Sequence, residues 1–184
     1  EAVDHRVASR SRALIHRRFA DELEADPTAD VGRLARHVQE AGGEIDPERA
    51  LPILFIAGER ALTRMAGVEA VSHFQAAFEL CERAAPERRA DALLGLGRGW
   101  SFAREFGRAA DELGAATEAY RQLGRRVDAA VASATRGTMA HYGDDPQTAR
   151  AAFATALELM ETAALPGDGS ATPEQATAQR LVHL

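Results

Sequence analysis

Six histidines, one cysteine and a run of glycines are the residues of this chain with the most direct chemical uses. His5, His16, His37, His73, His141 and His183 are of a type that binds metals or moves protons near neutral pH. No two of them stand four apart, the spacing that pairs ligands on one helix face, so a metal centre would have to gather them from distant segments. Gly95-Leu96-Gly97-Arg98-Gly99 has the glycine content of a phosphate-gripping loop, but no strand pattern precedes it. The chain has no lysine at all, so a G-x-x-x-x-G-K-[ST] loop is impossible. Cys81 stands alone, cannot close an internal disulfide, and reads as a small apolar filler. Carboxylates such as Asp111 and Glu112 read as charged faces of exposed helices. There is no G-x-S-x-G elbow, H-E-x-x-H helix or paired-cysteine set. These patterns predict no enzyme, no metal and no cofactor, which leaves an all-α enzyme with dispersed catalytic groups as the weakest reading.

The elements that would position these residues are helical throughout. Asp46-Pro47-Glu48, Ala85-Pro86-Glu87, Asp145-Pro146-Gln147 and Thr172-Pro173-Glu174 each place proline at a first helical position, where its missing N–H costs nothing. Ala66-Gly67, Phe106-Gly107 and Gly143-Asp144-Asp145 read as tight turns. No segment alternates in the manner of a strand. Helices are predicted near 4–25, 31–41, 47–65, 68–84, 87–104, 107–123, 125–142, 146–164 and 174–183, with a kink or late start at Pro52 and a linker over 165–170. Apolar residues make up 46%, enough for a core, but 40 of the 184 residues are alanine and aromatics only 5%. Helices must therefore approach closely. The net charge of −6 argues against a general nucleic-acid binder, and no run is long and apolar enough to cross a membrane. The basic start (Arg6, Arg10, Arg12, Arg17, Arg18) reads as a solvated face or one that packs on an upstream module. Lysine and asparagine, both absent, have AT-rich codons, so the source is expected to be a GC-rich bacterium, and a cytoplasmic location is expected.

A small-residue skeleton recurs three times. Gly58, Ala70, Phe74 and Ala77 return as Gly97, Ala109, Leu113 and Ala116, then as Gly137, Ala149, Phe153 and Ala156. Self-similarity at about 40 residues marks stacked helical hairpins, because one hairpin cannot bury its apolar face alone. The expected fold is all-α, with antiparallel hairpins stacked as a right-handed solenoid. Residues 1–45 would pack on the array, 46–165 would form three elongated repeats, and 166–184 would be a linker with a partial or capping helix. Gly58, Gly97 and Gly137 are expected to be closest-approach points against the paired alanines, and Phe74, Leu113 and Phe153 to plug gaps between hairpins.

These positions resemble the tetratricopeptide repeat: glycine at place 8, alanine at 20, a large apolar residue at 24 and alanine at 27, with repeats starting near residues 51, 90 and 130. Leu93, Leu96 and Trp100 match places 4, 7 and 11, Leu54, Ala57 and Ala61 match them more thinly, and Ser133, Arg136 and Ala140 depart. The family's proline at place 32 is missing and each unit is five or six residues long beyond the consensus. More specifically, the run from Ala13 to Glu24, Leu34-Ala35-Arg36-His37, Ala57 to Leu62 and Glu69 to Phe74 is similar to a segment of large bacterial regulators. These are the signal-transduction ATPases of the large LuxR type and relatives fused to nucleotide-cyclase domains. The resemblance implies a sensor or interaction arm of such a transcriptional or signalling regulator rather than its ATPase.

In such repeats, places around 2, 5, 9, 12 and 13 line a concave groove. Here they put Phe55, Glu59 and Leu62 beside Asp91, Leu94, Arg98 and Phe102, and then Thr138, His141 and Tyr142. That mixture suits an extended protein or peptide segment or a small polar effector. The expected partners are accordingly a protein, a peptide or an effector, with no direct nucleic-acid contact and no membrane. A homodimer through an exposed array end is a further expectation, and a free-standing adaptor joining two proteins is the alternative function.

Overall fold

The computed structural model describes the backbone of residues 2–164 and the side chains of residues 9–163. Eight α-helices account for most of it: α1 (Ala2–Glu24), α2 (Val31–Ala41), α3 (Pro47–Thr63), α4 (Gly67–Ala84), α5 (Arg89–Phe102), α6 (Phe106–Gln122), α7 (Arg126–Tyr142) and α8 (Pro146–Ala164). The described residues contain no strand, and the chain is all-α. The linker over 165–170, the helix expected over 174–183 and the whole 166–184 unit lie outside the described residues.

Local chemistry sets the helix ends. Asp46 caps α3 by accepting from the Glu48 N–H at 2.9 Å, and Asp145 accepts from the Thr148 N–H at 3.0 Å at the start of α8. Pro86, in contrast, opens a short 3₁₀ turn, and α5 begins only at Arg89. Pro52 neither delays nor ends α3; it stands exposed within the helix. The hairpin turns close differently from the expectation. Gly67 and Phe106-Gly107 fall in the first turn of the following helix. The left-handed residues other than glycine are Met65 (φ 57°), Arg104 (φ 63°) and Asp144 (φ 61°), spaced 39 and 40 apart. Around them, Ala66 N–H donates to the Ala61 carbonyl at 2.9 Å, Glu105 to Trp100 at 3.0 Å and Asp145 to Ala140 at 2.9 Å. This six-residue closure satisfies carbonyls that a helix end otherwise orphans.

Helices pack on their neighbours in chain order, and α3 also touches α5. Each repeated glycine meets the large residue of its own hairpin. A Cβ on Gly58 would lie 2.6 Å from the Phe74 ring, on Gly97 2.5 Å from Leu113 Cγ, and on Gly137 2.8 Å from the Phe153 ring. The three surroundings are equivalent, but the expected partners need correcting. Ala70, Ala109 and Ala149 are buried alongside, and the Ala109 carbonyl oxygen would stand 3.3 Å from a Cβ on Gly97, but the nearest atoms at all three glycines belong to the large residue. A flat ring can lie directly on a helix backbone only where no Cβ intervenes.

The glycine-rich stretch in α5 is explained by the same packing. Gly95 and Gly99, one turn apart, face α4: a Cβ would stand 2.4 Å from Phe74 and 2.8 Å from Val71, respectively. Gly97 faces α6 instead. The bulk of the core changes along the chain. Leu34, Val38, Ile45, Leu51, Ile53 and Leu54 supply the first cluster, whereas the last consists of Ala110, Ala140 and Ala149 with Met139 packed against it.

Candidate functional site

The helices α3, α5 and α7 position the predicted groove residues, and the structure divides these into three groups. Glu59 and Arg98, which stand at the same place of adjacent repeats, pair at 2.7 Å across α3 and α5. Arg98 is half-buried and Glu59 exposed, and the pair itself lies at the surface, so it is weak as a stabiliser and open to exchange with a ligand's charge. Phe55 lies beside this row, with the Arg88 guanidinium 4.3 Å above its ring and the Phe74 ring edge-on at 6.0 Å. Phe102 is exposed at the end of α5.

At the far end, Tyr142 is 62% exposed; its ring packs 5.7 Å from Phe106 and 5.9 Å from His141. Thr138 is half-buried and donates to the Ala134 carbonyl at 3.2 Å. Leu94 is half-buried against the middle core cluster.

Two residues do not line a groove. Leu62 is buried, because its place on α3 faces the core with Ala61 rather than solvent. Asp91 is held between helices: it accepts from the Tyr120 hydroxyl at 2.9 Å and from Arg125 at 2.9 Å, tying α5 to α6 and to the start of α7. Burial, then the neighbouring Asp91 carboxylate, pushes the Tyr120 hydroxyl far above its ordinary range. This cluster is a lock rather than a binding surface. Ser133 shows the opposite case, a polar residue that takes a buried place by donating to the Ala152 carbonyl at 2.8 Å.

A second surface had no sequence signal that distinguished it from core. Val131, Thr138, Met139, Phe153, Leu157 and Met160 line an open cavity of about 570 Å³ between α7 and α8. Phe153 is 42% exposed there, although it stands where Phe74 and Leu113 are buried. The surface is apolar and unpartnered among the described residues.

Among the described residues, no group of three or more His, Cys, Asp or Glu is placed to hold a metal ion. His16 and His37 meet through their Nδ1 atoms at 3.0 Å, joining α1 to α2. Burial pushes the Cys81 thiol up to about 11, leaving it protonated and unreactive at neutral pH. No helix among the described residues is long and apolar enough to cross a membrane. No protein-family model matches this chain, and no curated protein is significantly similar to it.

Proposed function

We propose that this chain is a tetratricopeptide-like solenoid arm that binds a protein or peptide, or senses an effector, on behalf of a bacterial transcriptional or signalling regulator. The observation that carries the reading is the glycine-on-large-residue contact repeated at Gly58/Phe74, Gly97/Leu113 and Gly137/Phe153. Equivalent contacts at a 39- to 40-residue period build equivalent hairpins, and hairpins stacked in register present a continuous row of first-helix side chains. In that row the Glu59–Arg98 pair and the exposed Phe102, His141 and Tyr142 supply charge and aromatic surface. Such a mixture recognises extended segments through a few anchors rather than through one deep pocket. Binding would act on a linked regulator only through different affinities for its two states.

The test is a set of peptides selected from a random library against the chain. Arg98→Ala and Tyr142→Ala are expected to weaken the selected peptides roughly tenfold each, the effect of removing a charged or aromatic anchor. Thermal unfolding should stay almost unchanged, because Tyr142 is largely exposed and Arg98 makes only a surface ion pair. Peptides that bind both variants as tightly as the parent chain would remove the groove from consideration. The link to a regulator is tested separately, by whether the adjoining coding sequence encodes a P-loop ATPase.

A further inference from the structure

A cleft between α2 and the first two turns of α4 lies apart from the predicted row. Arg36 and Gln39 of α2 face Val68, Glu69 and His73 of α4 across about 580 Å³, with Gly32 in the wall. Polar bridges flank it. At one end the Gln39 amide donates to the Ser72 carbonyl at 3.1 Å and to His73 Nδ1 at 3.2 Å. Beside the Glu69 wall, Arg64 pairs with Glu69 at 3.0 Å and reaches Asp30 at 4.0 Å. A Cβ on Gly32 would press within 3.1 Å of Glu69 Oε1, so the glycine leaves that carboxylate its space.

The cleft holds polar groups that the protein itself leaves unpartnered. His73 is only 4% exposed. Because the Gln39 amide nitrogen can only donate, His73 Nδ1 is the acceptor, which assigns the neutral ring's proton to Nε2. That Nε2–H is buried with no hydrogen-bond partner, and faces Glu69 Oε1 at 3.7 Å. A buried donor left unpaired is costly, and native structures rarely keep one without a purpose. The α4 helix begins after Ala66, whose side chain cannot cap, so its first N–H groups and the positive helix end meet the cleft without a side-chain partner. Arg36 forms no ion pair among the described residues, and Glu69 Oε2 accepts no hydrogen bond among them.

From this arrangement we infer that the cleft binds a small zwitterion, a free α-amino acid. Its carboxylate takes Arg36, the amide end of α4 and the His73 Nε2–H, and its ammonium takes the free oxygen of Glu69. Neither charge alone fits as well: a simple anion would sit beside the Glu69 carboxylate, and a simple cation beside Arg36. The site gives effector sensing a ligand class and rests on the arm reading only for its biological use, since amino-acid binding is measured on the chain alone.

The experiment titrates the chain with a panel of free L-amino acids, then with acetate, methylammonium and inorganic phosphate, and follows the amide resonances of Val68 and Glu69 and the ring of His73. At least one amino acid is expected to shift all three saturably and to bind roughly tenfold or more tightly than acetate or methylammonium. Arg36→Ala, an exposed change, should weaken that amino acid by roughly tenfold while leaving the unfolding temperature in place. His73→Gln, which keeps a donor near the same point, should retain part of the affinity. Three results overturn the inference: no saturable shift from any amino acid up to about 10 mM, tighter binding of phosphate than of every amino acid, or unchanged affinity in Arg36→Ala. Peptide binding to the α3–α5–α7 row is unaffected by any of these outcomes, so the two readings fail separately.

Discussion

Phe74 and Phe153 stand at the same place of the repeat and make the same contact with a glycine, yet one is 1% exposed and the other 42%. The difference lies on the other side of the ring. Phe74 rests on Gly58 within its hairpin and is covered by Gly95 of α5, whose absent Cβ would lie 2.4 Å from Cδ1. Phe153 rests on Gly137, and among the described residues nothing lies across its outer face. A hairpin contact is therefore local and repeats faithfully, whereas burial of the plug requires the next first helix. The cavity between α7 and α8 lies on the side of Phe153 that corresponds to the Gly95 side of Phe74.

The largest expected effect breaks the interior contact. Phe74→Ala removes a buried ring gripped on two sides and should cost about 3–5 kcal/mol, as measured by urea unfolding. Phe153→Ala removes a ring with half its contacts and should cost about 1–2 kcal/mol. Equal losses at the two sites would show that the outer face of Phe153 is covered in solution. The glycines sharpen the same contrast at smaller magnitude. Gly95→Ala drives a methyl into a ring that cannot move aside, and should destabilise by about 1–3 kcal/mol despite the gain in helix propensity. Gly137→Ala creates a similar overlap, but the exposed Phe153 ring can swing outward, so clash and propensity should nearly cancel. A large loss in Gly137→Ala would mean that the ring is confined.

Much of this architecture was legible in the sequence because it follows from periodicity. The recurring Gly58, Gly97 and Gly137 and the capping signals at Asp46 and Asp145 place helices α3 to α8 within a few residues. What the pattern does not contain is the identity of the atoms across each contact. The alanines looked like the glycines' partners because small residues suit close approach, but a flat ring on a bare backbone suits it as well. Visible glycines mark the hairpin turns only approximately: within the hairpins the left-handed residues are Met65, Arg104 and Asp144, whose strain is offset by the carbonyls they help to satisfy. Among the groove residues, Glu59, Arg98, Phe102, His141 and Tyr142 reach the surface, whereas Leu62 turned out buried and Asp91 already bonded. Place number specifies a helix face, and it cannot report that Tyr120 and Arg125 converge on Asp91 from α6 and the start of α7. The α2–α4 cleft had no signal at all, since it is defined by partners that Arg36 and His73 lack.

The smallest effect concerns protons and again separates the two crossings. The residue before Phe74 is His73, and the residue before Phe153 is Ala152, which cannot ionise. Burial foremost, with Arg36 and Arg64 adding repulsion and Glu69 opposing, holds His73 below its ordinary value of 6.5. The folded state then takes up its proton later than the unfolded chain does. The neutral ring's contribution is fully present above pH 6.5 and is lost as pH falls from 6.5 toward the lowered folded value. His37 is lowered for the same leading reason, with His16, Arg33 and Arg36 adding to it and Glu40 opposing, and it acts in the same direction. Between pH 7.5 and 5.5, amide protection in α4, corrected for intrinsic exchange rates, should therefore fall relative to protection in α8. His37→Gln should leave that difference in place, and His73→Gln should remove it. A decline of equal size in both helices, or one that survives His73→Gln, would show that proton uptake weakens the helices together and not the crossing at Phe74.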